Sequence, residues 1–122
     1  MRFLVSLVND GSYMEQASPE QARELGMKMM ELMGELRDAG VLADPGAALA
    51  PSDAAKTLRY GTEGEVVVTD GPFAESKEQM AGYMVLECED LDVAVTWVRK
   101  MPVRGGSVEV RPIADRSGGS RS

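Results

Sequence analysis

The stretch Gly82-Tyr83-Met84-Val85-Leu86-Glu87-Cys88-Glu89-Asp90-Leu91-Asp92-Val93-Ala94-Val95-Thr96-Trp97-Val98 changes its period halfway along. Up to Cys88, Tyr83, Val85 and Glu87 alternate with Met84, Leu86 and Cys88, the period of two that belongs to a strand. Beyond Asp90, whose carboxylate suits an N-cap, Leu91, Ala94, Val95, Val98 and Met101 recur at helical spacing, and Pro102 stops them. Gly105-Gly106 then turns the chain into a second alternating run, Ser107 to Ile113. The stretch therefore predicts a strand over 82–88, a helix over 91–101 and a strand over 107–113.

The first half repeats the order. Residues 2–8 read as a strand, ended by the turn chemistry of Asn9-Asp10-Gly11-Ser12. Ser18-Pro19-Glu20-Gln21 is a helix start: Ser18 caps, Pro19 suits the first turn and Gln21 completes a capping box. Ala22, Leu25, Met29, Leu32, Met33 and Leu36 then form one apolar stripe, and Gly40 is a natural stop, giving a helix over 19–39. Residues 43–55 read as a loop with a short strand near Ala47–Ala50. Lys56–Tyr60 and Glu65–Thr69 flank Gly61-Thr62-Glu63-Gly64 as a β-hairpin. The order is that of a ferredoxin-like βαββαβ α+β fold with an extra hairpin, an antiparallel sheet carrying both helices on one face. Another two-layer α+β sandwich is the alternative. Residues 1–113 form the domain, and 114–122, rich in Ser, Gly and Arg, read as a disordered tail.

At 122 residues, 43% hydrophobic and 27% charged, the chain has the composition of one ordinary globular domain. A net charge of −7 repels phosphate backbones, so direct nucleic-acid binding is not expected. No histidine and a single cysteine, Cys88, remove the usual zinc, copper and haem ligands; carboxylate-only Mg²⁺ or Ca²⁺ binding stays open, though without EF-hand-like spacing, and no cofactor is expected. No run approaches the ~20 apolar residues of a membrane span, and the apolar N-terminus ends at Val8, too short for a signal segment. The cytoplasm is the expected location.

A sheet with helices on one side leaves the other side open. On the last strand Val108 and Val110 suit the helix side, which turns Glu109 and Arg111 outward. Leu4 and Val8 on the first strand are too apolar for free exposure on that same outer side. A half-apolar open face calls for a cover, and a second copy related by two-fold symmetry is the simplest one. The expectation is a homodimer whose sheets enclose a partly polar cavity.

Between the hairpin and the 82–88 strand lies Val68-Thr69-Asp70-Gly71-Pro72-Phe73-Ala74-Glu75-Ser76-Lys77-Glu78. Asp70 suits an Asx-turn, Gly71 a positive φ, Pro72 fixes the next φ, and Phe73 can pin the loop on apolar surface. With Ser18-Pro19-Glu20, Ala39-Gly40-Val41-Leu42, Gly82-Tyr83 and Gly105-Gly106-Ser107-Val108-Glu109-Val110-Arg111-Pro112, this run resembles the YCII-related family in its DGPF-motif branch. The resemblance covers nearly the whole chain apart from the tail. It implies a ferredoxin-like fold and a dimeric α/β barrel. It also implies, for some relatives, cofactor-free chemistry on small aromatic or chlorinated compounds through a His–Asp pair. An association with extracytoplasmic-function sigma factors is implied as well. Asp38 falls where the family's acidic residue lies, but with no histidine in the chain that pair cannot form.

Any acid/base chemistry then rests on carboxylates, Tyr or Lys. Asp70 and Tyr83 are the catalytic candidates; Glu109, Arg111, Phe73 and Asp38 are the ligand-binding ones. Arg111 suits a bidentate grip on a carboxylate. Against these stand blander readings: Asp70 consumed by its own turn, Glu109 and Arg111 as cross-strand or dimer contacts, Tyr60 and Tyr83 as packed tyrosines, Cys88 as a buried hydrophobe, and Met27 and Met30 as partner contacts. The functional expectation is a small-molecule-binding dimer, a cofactor-independent isomerase, lyase or cyclase if catalytic. The alternatives are a sensor or partner module in sigma-factor-type regulation, and a purely structural dimer.

Overall fold

The computed structural model describes residues 1–74, 77–115 and 119–120. The elements are β1 (Arg2–Asn9), α1 (Ser12–Gln16), α2 (Pro19–Asp38), β2 (Leu42–Ala48), a 3-10 turn (Ser52–Ala54), β3 (Lys56–Tyr60), β4 (Val66–Asp70), β5 (Gln79–Glu87), α3 (Leu91–Val98), β6 (Ser107–Pro112), β7 (Ala114–Asp115) and β8 (Gly119–Ser120). A four-stranded sheet has the order β2-β5-β1-β6, all of it antiparallel. With α2 between β1 and β2 and α3 between β5 and β6, this is the ferredoxin-like plan, and the fold is α+β. The hairpin β3–β4 is a separate two-stranded sheet inserted between β2 and β5.

One face of the large sheet carries the core. Phe3 and Val5 of β1 and Met84 and Leu86 of β5 are buried against Leu32 and Leu36 of α2 and Ala94 of α3. Val108 and Val110 of β6 pack against the same cluster, as their alternation predicts. The capping box at α2 forms in both directions: Gln21 N–H donates to Ser18 Oγ at 3.0 Å, and Ser18 N–H donates to Gln21 Oε1 at 2.8 Å. Asp90 accepts from Val93 N–H at 2.9 Å and starts α3. That helix ends at Val98, three residues short of expectation. Lys100 and Met101 continue it only as i→i+3 turns, to Trp97 and Val98.

Three expectations are corrected. Residues 43–55, read as a loop with a short strand near Ala47–Ala50, contain most of β2, which begins at Leu42 and ends at Ala48. Ala-Asp-Pro-Gly is poor strand material, and it pairs only because β2 is an edge strand with two register shifts, where Pro and a bulge are tolerated. The strand expected over 82–88 begins at Gln79, because Val8 and Asn9 pair with Met80 and Gln79 past a bulge. The turn after β1 holds a one-turn helix, α1, too short for a hydrophobic period to reveal. Of the expected disordered tail, Ala114–Asp115 pair with Gly119–Ser120; the rest lies outside the described residues. Among the described residues no helix is long and apolar enough to cross a membrane.

Candidate functional site

Because paired residues share a face, the register fixes what the helix-free side of the sheet carries. Tyr83, Ser6 and Glu109 lie abreast across β5, β1 and β6, and Val85, Leu4 and Arg111 form the next row. Glu109 and Arg111, two residues apart on β6, point the same way, and the Arg111 guanidinium donates to the Glu109 carboxylate at 2.9–3.0 Å. A second pair, Arg2 with Glu87 at 3.5 Å, closes the β1–β5 end of this face. Between them Leu4, Val8 and Val85 are half-buried, and Tyr83 is 37% exposed with no helix above it. The arrangement is an apolar strip edged by a preformed carboxylate–guanidinium pair and a phenol.

Three of the six candidate residues thus meet on one face: Tyr83, Glu109 and Arg111. Ser6, the buried hydroxyl-bearing residue at the centre of the face, is only 4% exposed; a lone serine in an apolar strand carries no signal of its own.

The other three lie elsewhere. Asp70 ends β4 and accepts from Lys56 Nζ across the hairpin at 2.5 Å. Gly71 takes φ +97°, as its place in the turn predicts. The loop is held by its carbonyls: Thr57 Oγ1 donates to Gly71 at 2.8 Å, Arg59 to Phe73 at 2.6 Å and Gln79 Nε2 to Ala74 at 2.9 Å. Phe73 is 73% exposed and reaches only the rim of a shallow groove with Leu58 and Met80. Asp38 is the exposed last residue of α2. The loop's Glu75 and Ser76 lie outside the described residues. Asx-type bonding occurs at Asp10: the hydroxyl and backbone N–H of Ser12, at 2.6 and 2.9 Å, hold its carboxyl below the usual carboxylate range.

Among the described residues no three His, Cys, Asp or Glu side chains come together as a metal site. Cys88 is buried in the core, and that burial pushes its thiol up. Thiolate chemistry there is suppressed at neutral pH. In the folded chain Cys88 is expected to react with Ellman's reagent at least ~10-fold more slowly than in guanidinium, because only unfolding exposes it. Equal rates, read by absorbance, would place the thiol outside the core.

A family model described as a YCII-related domain matches residues 1–117. The chain is also 38% identical over 117 residues to an uncharacterized protein of Rhizobium meliloti (strain 1021), with 93% of each chain covered.

Proposed function

Since this chain belongs to the YCII-related family, we propose that it works as a homodimer that binds a small anionic molecule between two facing sheets, with Arg111 as the charge partner. The observation that carries this reading is the uncovered sheet face, on which an apolar strip runs beside the Glu109–Arg111 pair. A second sheet laid on it would exclude water and strengthen the grip of Arg111 on a carboxylate. Tyr83 then stands in the cavity as a proton donor, which gives the dimer the means for cofactor-free proton transfer; Asp70 is left to its loop. A thermal-shift screen of small carboxylates tests this. A ligand at a hundredfold excess over its Kd stabilises by about 2.7 kcal/mol, a rise of several degrees. Arg111→Ala is expected to abolish that rise. A rise that survives the substitution would remove Arg111 from the site, and no rise with any carboxylate would count against binding.

The hairpin favours a second reading, a partner module of the kind sigma-factor-type regulation would use. Leu58, Tyr60, Val66 and Val68 share one face of β3–β4. All four are exposed, Tyr60 by 69%. A two-stranded hairpin with an apolar face is marginal alone and gains stability when covered. Which protein covers it, a second copy or a different chain, is decided by the pair of variants discussed below.

A further inference from the structure

The helix side of the sheet holds a cleft that the hairpin does not touch and that shares only Tyr83 with the open face. Its inner compartment, about 200 Å³, is walled by Met29, Met33, Met84 and Met101 over Val5 and Leu7. Its outer compartment, about 220 Å³, lies at the end of β1 against α1 and is lined by Asn9, Asp10, Ser12, Tyr13, Glu78 and Arg104. Leu7 and Met29 stand in the walls of both, so the partition between them is two flexible side chains. The inner space is an apolar cleft open to solvent along one side, with room for a short alkyl chain. Methionine is unbranched and adapts its shape, so four of them suit a flexible chain better than a rigid ring.

The outer compartment defines the other end of the ligand. Arg104 brings a positive charge, and Asp10 and Glu78 bring negative ones. These signs offset each other, so a charged head gains little there for the water it must shed, whereas a neutral hydroxyl can both donate and accept. Tyr13 is half-buried there, and its hydroxyl has no hydrogen-bond partner among the described residues. Gly105 and Gly106, with φ of +70° and +78°, pass beneath it. A Cβ on Gly106 would collide with the Val8 carbonyl, and one on Gly105 would touch Tyr13 Cβ at 3.9 Å. Gly106 thus lets the turn pass close against the end of β1.

We propose that this cleft binds a neutral amphiphile of medium length, an alkyl or acyl chain ending in a hydroxyl, with the chain among the methionines and the hydroxyl against Tyr13. The site is on the helix side, so a subunit on the open face leaves it accessible, and it is independent of the carboxylate reading above.

Titrating 1-octanol into the full chain labelled with ¹³C at the methionine methyls tests it without any variant. Saturable shifts are expected at Met29, Met33, Met84 and Met101, and none at Met27 and Met30, which are 58% and 75% exposed on α2. Across butanol, hexanol and octanol, each methylene is expected to tighten binding by about fourfold. Octanoate and octylamine are expected to bind at least ~10-fold more weakly than octanol, since each must shed the water around its charge in a compartment whose own charges offset. Tyr13→Phe is expected to weaken octanol by roughly three- to tenfold and leave xenon binding in the inner compartment unchanged. Non-saturable shifts of similar size at all methionines would overturn the site, and octanoate matching octanol would overturn the neutral head.

Discussion

Gly46→Ala is expected to destabilise the protein by at least about 3 kcal/mol and to lower its melting temperature by more than about 10 °C. Two effects add. Gly46 sits at φ +66°, where a side chain costs about 1–2 kcal/mol. A Cβ there would also collide with the Tyr83 carbonyl and lie 2.6 Å from its carbon, both backbone atoms of β5 that cannot rotate away. Relief requires β2 to lift from β5, breaking ladder bonds between Asp44 and Ala48 and uncovering Leu42, which packs on the core. Gly26→Ala is the matched control: it lies within α2, has nothing within 4 Å of its Cβ site, and is expected to stabilise by roughly 0.5–1 kcal/mol. Thermal melts of the two variants settle the point. A Gly46→Ala protein melting within a degree or two of the parent would mean that β2 does not need this bulge.

Gly46 also shows where the sequence stopped being readable. Strands and helices that bury a regular stripe were legible, because burial writes its period into the residues: Met84, Leu86 and Cys88 on β5, Val108 and Val110 on β6, Leu32 and Leu36 on α2. β2 buries almost nothing and is held by backbone bonds at a sheet edge, so Asp44-Pro45-Gly46 carries no period and reads as loop. The placement of the candidate site was legible to the same degree. Glu109 and Arg111 could be placed outward because Val108 and Val110 had to be inward, and pairing with β1 and β5 then brought Tyr83 beside them. Asp70 and Phe73 form a conspicuous motif, and the polar contacts they make among the described residues are local: the ion pair of Asp70 to Lys56 and the Phe73 carbonyl held by Arg59. A demanding turn and a reactive site look alike in sequence, since both need particular residues at particular places.

Val85→Lys is expected to convert the proposed dimer to a monomer. Val85 lies opposite Leu4 on the helix-free face, half-buried within its own chain. In a monomer a lysine there extends its ammonium into water and lays its stem along Leu4, so folding is little affected. Between two facing sheets the same ammonium has no escape, and the carboxylates of that face, Glu87 and Glu109, are already paired with Arg2 and Arg111. Leaving a buried charge unpaired costs about 3–5 kcal/mol, and two-fold symmetry imposes that cost twice, weakening association by more than about 10⁴-fold. Light scattering on a sizing column reads the result directly: 13.1 kDa for the monomer, against about twice that for the parent. Tyr60→Lys, on the hairpin, is the companion variant. If only Val85→Lys dissociates the dimer, the sheets form the interface and the hairpin's apolar face is free for another protein. If Tyr60→Lys also dissociates it, the hairpin belongs to the same interface and the partner-module reading loses its support. A parent protein that runs at 13.1 kDa, or a Val85→Lys protein that stays dimeric, would refute the facing-sheet arrangement and with it the enclosed Arg111 site.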